Sequence, residues 1–133
     1  MKNFIFIFFC LFAIFSLISC NTTSTTEVSI RNTSSYDLRL VFIPDSIFEN
    51  RDIKDFVLIK KTITHFRVEL PSSTAWDPNC EIKEMVFLNL EDSLLIKRLK
   101  NDNLFIETGR KEYHGWGSDT VFYNLIITDV LLQ

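Results

Sequence analysis

The chain has 133 residues, 14 Lys and Arg against 17 Asp and Glu, and three cysteines. A net charge of −3 argues against nucleic acid or an anionic lipid surface as partner, since both select a basic face. The length suits one domain around one core.

Met1-Lys2-Asn3 is a short basic start, and residues 4–18 are apolar apart from Cys10 and Ser16. A charged n-region before an apolar h-region is the pattern of an export signal. As a helix this run would cover about 22 Å at 1.5 Å per residue, short of the roughly 30 Å hydrocarbon core of a bilayer. An ordinary signal is cut after small residues in an A-x-A-like pattern, whereas here Leu17 and Ser19 hold those positions.

Leu17-Ile18-Ser19-Cys20 instead resembles the lipobox of bacterial lipoproteins: an aliphatic residue, a tolerant position, a small residue and a cysteine. The resemblance implies cleavage before Cys20, a thioether from its sulfur to diacylglycerol, and often an acylated new amino terminus. One acyl chain binds a membrane marginally, and two or more hold it stably. Asn21 stands where an Asp would be the best-known signal for retention in the inner membrane. By that resemblance the destination is the outer membrane. No acidic residue occurs before Glu27, so the same comparison places the domain on the periplasmic rather than the external side.

Processing would remove Lys2 and six of the 13 Phe, leaving 13 basic and 17 acidic side chains. Cys80 would then be the sole free thiol, so no intramolecular disulfide is expected. Residues 1–19 thus read as signal peptide, 20–27 as the acylated cysteine and a polar linker, and 28–133 as a single domain.

The domain reads as strands. Val28 and Ile30 alternate with polar neighbours, and Asn32-Thr33-Ser34-Ser35 is turn chemistry. Tyr36, Leu38, Leu40 and Phe42 fall on one face of the next strand, with Asp37 and Arg39 on the other. Residues 45–54 suit one or two helical turns capped by Asp45 or Ser46. In residues 62–70, Phe66, Val68 and Leu70 oppose His65, Arg67 and Glu69, and Pro71 ends the run. Residues 81–99 mix alternation with helical spacing; a hairpin around 89–93 fits the strands on either side. Residues 121–127 are apolar on both faces, as in a central strand, and Thr128 reads as the N-cap of a short final turn. The expected fold is all-β: an antiparallel β-sandwich, immunoglobulin-like or transthyretin-like, with one or two short helical turns. The segments IRNTSSYDLRL, EIKEMVFLN and VFYNLIITD loosely resemble small Gram-negative envelope lipoproteins of unknown function. That resemblance brings no functional residues with it.

Chemistry-bearing residues are sparse. His65 and His114 are the only histidines, and no metal-ligand spacing such as C-x-x-C or H-E-x-x-H occurs, so neither metal nor cofactor is expected. His65 reads as an exposed strand histidine. Cys80 reads as a lone thiol, and His114, Ser118 and Asp119 lack the G-x-S-x-G elbow of a hydrolase. The densest unusual cluster is residues 113–119, with two of the three glycines around Trp116. The two tryptophan rings read first as plugs for the ends of the core; Tyr113, His114 and Trp116, with Trp76, are the candidates if a flat surface is instead presented to a glycan or peptide. Asp45-Ser46-Ile47, Asp92-Ser93-Leu94 and Asp119-Thr120-Val121 resemble an O-glycan acceptor motif of some bacterial envelopes, which makes Ser46, Ser93 and Thr120 candidate sites. Asp-Ser also begins ordinary turns and helices. The sequence therefore reads as a non-catalytic envelope module held to the membrane through Cys20, with an envelope protein or glycan as partner. A binder using the Trp116 loop comes second, and a hydrolase is a distant third.

Overall fold

The computed structural model describes residues 23–45, 55–71, 74–112 and 119–133. These form strands β1 (Ser24–Asn32), β2 (Leu38–Pro44), β3 (Asp55–Leu58), β4 (Thr62–Leu70), β5 (Ile82–Asn89), β6 (Leu95–Lys100), β7 (Ile106–Lys111) and β8 (Thr120–Ile127). They also form two one-turn helices, α1 (Pro78–Glu81) and α2 (Asp129–Leu132).

Alternation builds the two layers. Val28, Ile30, Leu38, Leu40, Phe42, Val68, Val121, Tyr123, Leu125 and Ile127 are buried between the sheets, while their odd-numbered or even-numbered neighbours face out. One sheet has the order β4-β1-β8-β7 and the other β3-β2-β5-β6. The protein is an all-β sandwich. The constant-domain immunoglobulin grouping puts the first two strands in one sheet; here β1 and β2 lie in opposite sheets.

The ladders are antiparallel with one exception. β1 runs parallel to β8, with Val28 beside Tyr123 and Ile30 beside Leu125. The first and last strands are thereby central in their sheet, but only one face of β8 is covered: Val121, Tyr123, Leu125 and Ile127 are buried, whereas Phe122 and Asn124 are half-buried and Ile126 is exposed on the outer face. The ambiguous segment 81–99 resolves as the β5–β6 hairpin, with Ser93 at φ 58° in its turn. Thr128 caps α2, its hydroxyl accepting from the Leu131 N–H at 3.2 Å. The helical turn expected over residues 45–54 lies outside the described residues except for Asp45.

Two expectations need correction. Tyr36 does not share the inner face with Leu38: it precedes β2 in the turn and is 46 % exposed, while its carbonyl accepts from Asn32 Nδ2 at 2.9 Å. The domain also starts before residue 28. Ser24, Thr25 and Thr26 belong to β1 and are 1, 2 and 0 % exposed. Their burial is tolerated because hydroxyls find partners: Ser24 donates to the Thr74 carbonyl at 2.8 Å and Thr26 to the Trp76 carbonyl at 2.6 Å.

Aromatic rings fill the core beside β4. Phe56 lies 4.7 Å from Phe66 and 5.2 Å from Phe42 between ring centres, and Trp76 meets Phe66 edge-on at 6.0 Å. Asparagines tie the crossings between sheets. Asn32 Nδ2 donates to the Tyr36 and Leu58 carbonyls while its Oδ1 accepts from Ser34. Asn79 and Phe105 exchange bonds in both directions, at 2.7 and 3.1 Å.

Candidate binding face

The outer face of the β4-β1-β8-β7 sheet is built by the residues that alternation turns away from the core. In register across it, His65 on β4 stands beside Ser29 on β1, Asn124 on β8 and Ile106 on β7. One step along, Arg67 stands beside Glu27, Phe122 and Gly109. Gly109 has no side chain to cover its end of that row. A cavity of about 500 Å³ opens over both rows. A second hollow of about 280 Å³ shares Ser29, His65 and Asn124 and extends the groove towards Arg31, Ile63 and Ile126.

The polar groups in the groove are fixed by contacts across and along strands. Ser29 Oγ and His65 Nδ1 are 2.8 Å apart. Arg67 pairs with Glu69 two residues on, at 2.7 Å, instead of with Glu27 directly opposite. Lys111 Nζ sits 5.5 Å above the Phe122 ring. The face thus offers hydroxyl, amide, imidazole, carboxylate and guanidinium groups bordered by Ile63, Ile106, Ile126 and Phe122. That mixture suits a ligand with hydrogen-bonding groups on an extended backbone, whether peptide or glycan.

Of the residues singled out from sequence, Trp76 is placed elsewhere. Its ring is 3 % exposed and belongs to the aromatic core, so the expectation that it presents a surface to a ligand is corrected. Tyr113, His114, Trp116, Ser118, Ser46 and Cys20 lie outside the described residues. Ser93 is exposed in the β5–β6 turn of one sheet, and Thr120 opens β8 in the other, half-buried. His65 is exposed on its strand, as its alternation indicated. Cys80 is free and exposed in α1; its thiol donates to Asp77 Oδ2 at 3.3 Å, and that carboxylate raises the thiol above its ordinary value. This is the reverse of what activates a cysteine nucleophile.

Sequence reasoning missed the groove. Alternation named Arg39 on β2 and His65, Arg67 and Glu69 on β4 as outward, but nothing local tells β1 that it will lie between β4 and β8. The juxtaposition of Ser29, His65 and Asn124 follows from that pairing alone. Among the described residues no cluster of three His, Cys, Asp or Glu could hold a metal ion, and no helix is long and apolar enough to cross a membrane. No protein-family model matches the chain, and neither does any curated protein or solved structure.

Proposed function

We propose that this is a lipid-anchored envelope protein whose β-sandwich is a non-catalytic interaction module. The observation that carries the reading is the course of β1. Four residues after Cys20, the candidate acylation site, the chain enters β1, and the same strand supplies Glu27, Ser29 and Arg31 to the groove. Four peptide steps reach at most about 14 Å, so an acylated Cys20 would hold the groove close to the bilayer. The resemblance of Leu17-Ile18-Ser19-Cys20 to a lipobox supports the anchor, and Asn21 supports the outer membrane. The absence of acidic residues before Glu27 supports the periplasmic side.

The groove adds a second candidate surface to the binding reading: Trp76 is enclosed, and the Trp116 loop lies outside the described residues. Ser29 and His65 alone do not make a hydrolase: Nδ1 is used on the serine, and no carboxylate is bonded to the imidazole among the described residues. A photo-crosslinking residue in place of Arg31 should capture an envelope component that the same residue in place of Lys97, on the opposite sheet, does not. Equal capture from both faces would contradict the assignment. Protease added to intact cells should leave the domain whole together with a periplasmic control protein; digestion of the domain alone would put it on the cell surface.

A further inference from the structure

Four strands form the edges of the two sheets, and three of them are guarded. β3 has only four residues. β6 carries Lys97, Arg98 and Lys100 and slips register against β5 at Phe87/Leu88. β7 slips register against β8 between Glu107 and Gly109 and ends in Arg110 and Lys111. Short length, bulges and clustered cations are the usual means of preventing edge-to-edge pairing. β4 has none of them. It runs nine residues in unbroken register from Thr62 to Leu70, without Pro, Gly or Lys, and among the described residues no strand pairs with its far side.

The direction of its backbone groups follows from two hydrogen bonds of β1. The Thr25 N–H donates to Asp119 on the β8 side at 2.7 Å, and the Asn32 carbonyl accepts from Lys61 on the β4 side at 2.8 Å. Because alternate residues of a strand point opposite ways, Thr26, Val28 and Ile30 face β4 and engage Val68, Phe66 and Thr64. Ile63, His65, Arg67 and Glu69 therefore turn their N–H and C=O groups to the open edge.

We infer that β4 is a self-pairing edge, joining antiparallel to β4 of a second copy of this chain about a two-fold axis at Val68. Charge selects this register. Centred on Val68, each Arg67 lies opposite the second copy's Glu69, and these residues exchange backbone hydrogen bonds. The ion pair within each strand then becomes a closed ring of four alternating charges. On the inner face Val68 meets its own copy and Phe66 meets Leu70. Centred on Arg67, two guanidiniums would face each other; centred on Phe66, each Arg67 would face a histidine. Pro71, with no N–H to give, ends the pairing. The isologous contact closes on itself instead of growing into a fibre, and it sets two grooves side by side on one eight-stranded sheet. The inference rests on edge geometry and charge, and stands whether or not Cys20 is acylated.

The test is sedimentation equilibrium of the full chain in detergent, with thermal melting as a folding control. The wild type should dimerise at or below about 100 µM. Arg67→Glu and Glu69→Arg should each weaken the dimer about tenfold or more, since both cross-strand pairs become like-charged. The double variant Arg67→Glu/Glu69→Arg should restore it. Both side chains are exposed, so every variant should still melt cooperatively; Arg67→Glu also faces Glu27 on β1 and should lower the midpoint slightly, alike in the single and double variants, which separates that loss from the recovery of the dimer. A wild type that stays monomeric, single variants that dimerise normally, or a double variant that does not recover would each overturn the inference.

Discussion

The hydroxyl of Thr26 donates a 2.6 Å hydrogen bond to the carbonyl of Trp76, fifty residues later in the chain, and the threonine is wholly enclosed. This bond joins the start of the domain to the segment that carries the chain from β4 to α1. Thr26→Val keeps the shape and removes the donor, leaving a buried carbonyl without its partner. Urea unfolding should show a loss of about 1 to 3 kcal/mol. Thr23→Val, at an exposed position, should show almost none.

Phe66 is half-buried and packs against Phe42, Phe56 and Trp76. Phe66→Ala removes a ring from the middle of that group and should cost about 3 kcal/mol, near the low end for Phe-to-Ala because one edge of the site is open to relax. A melting temperature unchanged from wild type would mean that the inward face of β4 has been misassigned.

These two residues mark how far the sequence could be read. Phe66 was legible because Phe66, Val68 and Leu70 alternate with His65, Arg67 and Glu69, a pattern that states its own buried face. Thr26 was not. Residues 21–26 are small and polar, so composition marks them as linker, and only the carbonyls of Thr74 and Trp76 make burial tolerable. Trp76 was legible as a ring that plugs the core, and the loop does fold it against Phe66; what the sequence could not name was the ring it meets. The β1–β8 pairing joins chain segments about a hundred residues apart through non-local hydrogen bonds, and local pattern carries no trace of it. The groove inherits that illegibility.

Burial, joined by the nearby carboxylates of Asp77 and Glu107, pushes the Tyr123 phenol up to about 12. An unfolded tyrosine ionises near pH 10, so the folded chain holds this proton where the unfolded chain has lost it. The associated stability is complete below about pH 10 and is lost as pH rises from there through about 12. Urea midpoints should fall more between pH 9 and 11 in the wild type than in Tyr123→Phe. Identical slopes would show that Tyr123 ionises normally.

Asp77 also governs Cys80. Its carboxylate accepts from the thiol and raises it, so iodoacetamide at pH 8 should alkylate Cys80 more slowly than free cysteine, as followed by peptide mass. Asp77→Asn should speed the reaction. It should also loosen α1 slightly, because the same side chain accepts from the Asn79 N–H at 2.9 Å as the helix cap.

The central claim is that the sandwich is tethered through Cys20, immediately ahead of the strand that floors its groove. Metabolic labelling with a palmitate analogue, comparing the wild-type chain with Cys20→Ala, tests it most directly. The wild type should carry the label and fractionate with membranes. Cys20→Ala should carry none, remain uncleaved before residue 20 and lose stable anchoring. Equal labelling of the two chains, or no label on either, would contradict the account.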